Sequence, residues 1–228
     1  MEDKVNDKNL LRAIKLKLCT IPARNYKEIE ELNLTNKNFL GNTLNINLEE
    51  IVELEELKTL SLKFFDITDE VIDSINTLKK LCKIEFYMCD FKTNKVINGN
   101  IRDVTIYCCK GFKQNILNDC INLEILELTN SGITDVNDLL LYKKIKSIKI
   151  RDCSLISLPK ISALTDLEYI YLNNIDIQCD FEISKMKKLK YISLNGSDIP
   201  DKESYIQKLK VQNPNVEIEC RENDLPIE

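Results

Sequence analysis

Nine cysteines and no histidine bound the chemistry open to this 228-residue chain. Without His there can be no Ser-His-Asp triad, no Cys-His dyad and no His-ligated metal. The cysteines are Cys19, Cys82, Cys89, Cys108, Cys109, Cys120, Cys153, Cys179 and Cys220. None forms a C-x-x-C pair, so the usual zinc spacings are missing. An odd number of thiols fits reduced cysteines in the cytoplasm. Cys108, beside Cys109, is the strongest candidate for a reactive thiol. Carboxylate or lysine catalysis remains open in principle. The acids are scattered, however, and no phosphate-cradling glycine loop is present. The chain is therefore read as a non-enzyme that needs no cofactor and no metal.

The remaining candidates are recognition residues. Tyr87, Tyr107, Tyr169, Tyr171 and Tyr191 recur at regular places, with Phe64, Met88, Lys149 and Arg151 nearby. Tyr and Arg join large contact area to a polar tip, a combination enriched where proteins bind one another.

The elements that position them follow a repeated frame. Leu123, Leu126, Leu128, Ser131 and Ile133 set the pattern, and its copies begin at 145, 167 and 189, each 22 residues on. Numbered from the first residue of each copy, positions 1, 4, 6 and 11 are apolar, and position 9 is Ser131, Cys153, Ile175 and Ser197 in turn. Looser copies begin at 11, 29, 57, 81 and 101, and Val216–Ile218 closes the series, giving about ten units. Alternation at positions 4 and 6 is the mark of a strand with one buried face. A single unit cannot bury that face alone, so units must stack into a solenoid.

The frame, with Asn or Cys favoured at its ninth position, resembles leucine-rich repeat (LRR) proteins. The 22-residue class is similar to that of internalins and of a regulatory subunit of protein phosphatase 1. The resemblance implies an α/β fold: a curved, horseshoe solenoid with a parallel β-sheet on its concave face and short helices or 3-10 turns on its convex face. One domain is expected over 1–228, with a cap and an irregular first unit at 1–28, repeats over 29–199 and a second cap over 200–228. A longer convex helix is expected in the 28-residue interval from 29 to 57. The acidic run Glu49, Glu50, Glu53, Glu55 and Glu56 interleaves with Leu48, Ile51, Val52, Leu54 and Leu57, and reads as a solvated face. Cys19, Cys89, Cys109 and Cys153 fall at position 9, where small side chains can satisfy backbone groups at a turn.

In that frame positions 3, 5 and 7 face outward over the sheet, with position 8 at its edge. Five of the eight tyrosines land there. The expected binding residues are Phe64, Tyr87, Tyr107, Lys149, Arg151, Tyr169, Tyr171 and Tyr191. The expected function is a protein–protein interaction module, with another protein or peptide held on the concave face. A scaffold or regulatory subunit, such as a phosphatase regulator, contacting partners through its convex face or ends, is the alternative.

Charge narrows the partner. Net charge is −5, from 37 acids and 32 bases. Glu31, Glu85, Asp103 and Glu127 share the outward positions and would repel phosphate, which argues against nucleic acid. The N-terminus is charged, with no apolar stretch of secretory type, and no run is long enough to span a membrane. A monomer in the cytoplasm is the expectation.

Overall fold

The computed structural model describes residues 7–20, 25–37, 40–131, 137–153, 161–177 and 180–222. Ile21, Phe39, Ile133, Leu155 and Cys179 lie outside the described residues. The chain forms two compact units, Met1–Cys120 and Ile121–Glu228.

The first unit opens with a helix, α1 (Lys8–Leu18). Asp7 caps it, its side chain accepting from the backbone N–H groups of Asn9 and Leu10 at 2.9 and 2.7 Å. Leu10 and Ile14, four residues apart, are buried on one face. A repeat strand was expected here, so this is a correction. Leu11, Ile14 and Leu16 satisfy the strand spacing, but Leu10 and Ile14 satisfy the helical one, and Leu16 is 61% exposed. Cys19 accordingly sits exposed at the helix end, not buried in a turn.

Strands β1 (Glu31–Thr35), β2 (Thr59–Lys63), β3 (Asp66–Ile67), β4 (Lys83–Tyr87), β5 (Asp90–Phe91) and β6 (Asp103–Tyr107) follow, with helix α2 (Asp69–Asn76) between β3 and β4. β1, β2, β4 and β6 pair in parallel in that order. Their register sets Leu32, Leu60, Ile84 and Val104 side by side, and Leu34, Leu62, Phe86 and Ile106 likewise. Every one of these is at most 1% exposed. β3 and β5 make a second, two-residue parallel pairing.

Among the described residues, the long interval before β2 holds no long helix. It contains a 3-10 turn, Glu49–Glu53. Its extra length lies partly in a polar loop where Lys37 bridges Thr43 and Asn36 Oδ1 accepts from the Ile46 N–H at 3.1 Å. Asn-rich sequence favours such side-chain-to-backbone bonds over helix. In the turn, Ile51 is buried and Glu49 exposed, so the acidic run is a solvated face.

The second unit repeats the theme at a 22-residue offset with β7 (Ile125–Thr129), β8 (Ser147–Arg151), β9 (Tyr169–Asn173), β10 (Tyr191–Ser193), helix α3 (Lys202–Gln212) and β11 (Glu217–Glu219). Its strands are parallel, and β11 extends the sheet from β10. α3 buries Tyr205 and Leu209. Tyr205 packs edge-on against Phe181 at 6.2 Å, closing the sheet's end as a cap should. The described residues thus hold nine sheet strands, four in one unit and five in the other, rather than ten repeat units.

Position 9 does what its chemistry predicts. Cys89, Cys109 and Ser197 donate to the carbonyls of Leu62, Phe86 and Leu172 on the preceding strand, at 3.3, 3.4 and 2.7 Å. Cys109 Sγ and Ser197 Oγ also accept the N–H groups of Cys89 and Ile175, at 3.4 and 3.3 Å. The side chain thereby satisfies backbone groups at the turn where the strand ladder ends. The hydrogen bond with Cys109, and then burial, push the Cys89 thiol up, and burial pushes Cys120 up to about 12, so both stay protonated.

Position 8 carries a second regularity. Phe64, Met88 and Cys108 in the first unit, and Asn130, Asp152, Asn174 and Gly196 in the second, all have positive φ, between 46° and 67°. Asn, Asp and Gly adopt this left-handed conformation readily, whereas Phe, Met and Cys do so at a cost.

Candidate protein-binding face

The strand pleat turns Tyr87 and Tyr107 outward at matching places on β4 and β6. Their ring centroids are 5.9 Å apart and the rings tilted by 44°. Phe64, half-buried at the turn after β2, lies below two cations, with Lys37 and Lys63 Nζ 4.8 and 5.2 Å from its ring centroid. Lys83 bridges Glu85 at 3.0 Å and Asp103 at 3.5 Å. The Glu85 hydrogen bond raises the Lys83 pKa against a smaller opposing effect of burial.

In the second unit the Tyr171 and Tyr191 ring centroids are 5.4 Å apart, with the rings tilted by 47°. Lys149 Nζ lies 5.7 Å from the Tyr171 ring and 3.3 Å from Glu127 Oε2. Lys149, Arg151, Glu127, Tyr171 and Asn173 line a notch of about 210 Å³. Tyr169 pairs with Lys190, 5.7 Å from its ring, rather than with Arg151. Arg151 is exposed. The Tyr191 hydroxyl donates to Glu219, and that bond lowers the Glu219 pKa. Asn173 Oδ1 accepts from Ser193 Oγ at 2.8 Å and from the Asn195 N–H at 3.0 Å, holding the strand ends together.

All eight residues expected from the sequence thus sit on the strands' outward side or its edge. The structure brings together Tyr87 with Tyr107, and Lys149 with Tyr171 and Tyr191. It does not leave the whole face open. Ser61, Thr105, Thr129, Asn173 and Ser193 are at most 9% exposed, covered by larger neighbours. The sequence reading missed a groove of about 640 Å³ between α1 and β1, lined by Arg12, Leu16, Lys17, Asn33, Leu44 and Ile46 among others. A strand was expected where α1 stands. The capping Asp7 and the four-residue spacing of Leu10 and Ile14 were the signals for it.

The charges give a pH prediction. Lys190, 2.5 Å from Glu168, holds that carboxyl below its ordinary range, as Tyr191 does Glu219. A depressed carboxyl stabilises the fold above its unfolded pKa, and that stability is lost as pH falls through the folded value. Thermal midpoints should therefore drop between about pH 5 and pH 3. Glu168→Gln with Glu219→Gln should flatten that drop, as followed by circular dichroism.

In each unit the sheet strands are parallel, and Cys89, Cys109 and Ser197 bond back to the preceding strand. Internalin C2 from Listeria monocytogenes matches 94% of this chain over 93% of its own, with a TM-score of 0.65 and 19% identity. The fold is that of a leucine-rich repeat protein. Internalin F from the same bacterium covers 96% of this chain over 77% of its own, at 12% identity and a TM-score of 0.51. An LRR protein of Leptospira interrogans covers 96% over 60% of its own, at 17% identity and 0.53. At these identities the likeness is one of fold. No protein-family model matches the chain, and no curated protein sequence does. Among the described residues no group of three His, Cys, Asp or Glu is placed to hold a metal, and no helix is long and apolar enough to cross a membrane.

Proposed function

We propose that this LRR chain is a binding module that holds a protein or peptide on the outward face of its strands, without catalysis of its own. The observation that carries the reading is the two outward tyrosine pairs in tilted ring contact, Tyr87–Tyr107 and Tyr171–Tyr191, built by strand register. Each presents two partly exposed aromatic rings, and Lys149 stands beside Tyr171 in the second. Such clusters supply contact area at low entropic cost. The same reading places the protein in a reducing compartment such as the cytoplasm, on the strength of its nine thiols.

The test is affinity capture from source cells, read by mass spectrometry, with wild type beside a variant carrying Ala at Tyr87, Tyr107, Tyr169 and Tyr171. A partner held by wild type should be lost by roughly a hundredfold or more in the variant, with the circular dichroism spectrum unchanged. A partner held equally by both would count against the tyrosine face. It would favour a second reading, a scaffold contact at the chain's N-terminal edge, for which the α1–β1 groove supplies an apolar floor of Leu16, Leu44 and Ile46 beside Arg12 and Lys17.

A further inference from the structure

β1 ends its sheet and pairs with β2 alone. On the β2 side the Glu30 carbonyl accepts the N–H groups of Lys58 and Thr59 at 2.7 and 2.9 Å, and the Asn36 N–H donates to the Lys63 carbonyl at 2.9 Å. Main-chain groups alternate between the two sides of a strand. The even-numbered residues here therefore bond to β2, and the N–H and C=O groups of Glu31, Asn33 and Thr35 point to the other edge. Among the described residues nothing bonds to those of Asn33 and Thr35 from that side. An unpaired edge is a template for another strand, and proteins commonly blunt it with Lys or Pro. β1 reads ELNLT and carries neither.

Helix α1 covers this edge in part. The groove of about 640 Å³ stays open between them, with Asn33 and Thr35 on one wall and Arg12 and Leu16 on the other. Leu16, Leu44 and Ile46 give it an apolar floor. Leu16 is 61% exposed, whereas α1 holds to the core through Leu10 and Ile14. Arg12 and Lys17 are the only charged residues among the described lining. Lys17 already reaches Glu31, at 3.7 Å, but among the described residues Arg12 has no carboxylate within 4.0 Å. The acids near the start of α1 are turned to backbone: Asp7 accepts the N–H groups of Asn9, Leu10 and Asn47, and Glu50 accepts that of Asp7.

We propose that the α1–β1 groove takes an extended segment of a partner protein as a strand added to β1. Its main chain bonds to Asn33 and Thr35, an apolar side chain lies on Leu16, Leu44 and Ile46, and a carboxylate meets Arg12. In strand addition the backbone bonds supply affinity and the side-chain pockets supply selectivity. The match is made first by shape and backbone: alternating N–H and C=O groups suit a peptide, and the floor suits an apolar side chain. A nucleic acid has neither to offer. The proposal stands apart from the tyrosine face and does not need it; it gives the N-terminal edge an occupant of its own.

The experiment pans the full chain, immobilised, against a phage-displayed random dodecamer peptide library. Enriched peptides are synthesised with a fluorescent label and titrated against wild type, Asn33→Pro, Leu16→Glu, Arg12→Glu, and the double variant Tyr169→Ala with Tyr171→Ala. Asn33→Pro deletes one edge donor at a place where an edge strand accepts Pro. It and Leu16→Glu should each weaken the peptides about tenfold or more, and Arg12→Glu should weaken those that carry Asp or Glu. The tyrosine variant should bind as wild type does. Nuclear magnetic resonance should show the Asn33 and Thr35 amides exchanging about tenfold more slowly in the complex. Leu16 and Arg12 are exposed, so their variants should keep the wild-type melting temperature and test the groove even where Asn33→Pro lowers it. No enrichment, affinity unmoved by Leu16→Glu and Asn33→Pro, or unchanged amide exchange overturns the proposal. Dimerisation of the free chain that Asn33→Pro abolishes would make the occupant a second copy and overturns it too. Affinity lost in the tyrosine variant alone would sink the groove and leave the tyrosine face standing.

Discussion

Phe86→Ala should destabilise the protein by about 3–5 kcal/mol, a fall in melting temperature on the order of 10 °C. Phe86 is fully buried. Its ring meets Phe91 edge-on at 5.0 Å, and Phe91 meets Phe112 at 5.3 Å, so one truncation unseats a chain of three aromatic rings. On the strand itself, Phe86 stands in register between Leu62 and Ile106. In a stacked array each unit's apolar face is covered by its neighbours and by nothing else. The hole cannot be filled from a distant part of the core, which puts the cost toward the upper part of the usual range. Phe86→Leu keeps most of the volume and should lose less than about 1.5 kcal/mol beyond the difference in buried area. Urea unfolding of the two variants beside wild type reads both values. An alanine loss under about 1 kcal/mol would show that the sheet relaxes around the gap.

The same residues show why part of this fold was open to a sequence reading and part was closed. Leu or Ile at positions 1, 4 and 6 writes the strand period directly, because each buried side chain must alternate with an outward one. Hence β2, β4 and β6 to β10, and the outward placement of their tyrosines, follow from spacing alone. α1 was hidden because Leu11, Ile14 and Leu16 mimic a strand frame while Leu10 and Ile14 write a helical one. Only the choice between Leu10 and Leu16 as the buried residue separates the two, and the tertiary contact makes that choice. The interval from 29 to 57 suggests a longer helix by its length alone, where Asn side chains that bond backbone, Asn36 among them, are the better signal. The face was legible as a column of outward positions but not as a surface. Spacing does not tell that Thr129 and Asn173 lie covered, or that Lys37, from a loop, reaches Phe64. Strain at position 8 is visible in sequence where Asn, Asp or Gly stands there. Where Phe64 or Met88 stands instead, the residue type points away from the conformation it adopts, and only the repeat register points toward it.

Ser197→Ala should cost about 2–3 kcal/mol despite removing a single oxygen. The Ser197 hydroxyl donates to the Leu172 carbonyl at 2.7 Å and accepts the Ile175 N–H at 3.3 Å. The residue is 7% exposed, so water has little access to either group once the hydroxyl is gone. Both would be left buried and unpaired, and an unmade bond costs more than a made one gains. The second prediction lies in the replacement by sulfur. Cys89 and Cys109 occupy the same frame position and donate to the equivalent carbonyls at 3.3 and 3.4 Å, and Cys109 accepts the equivalent N–H at 3.4 Å. Ser197→Cys should therefore keep both partners and lose less than about 1 kcal/mol. Thermal and urea unfolding of the two variants separates hydrogen bonding from filling. If Ala and Cys fall equally, the position is not a hydrogen-bonding rung. If Ala falls and Cys holds, a polar atom, oxygen or sulfur, is what satisfies these backbone groups where position 9 is Ser or Cys, and the interchange of Ser197 with Cys89 and Cys109 follows from that single requirement.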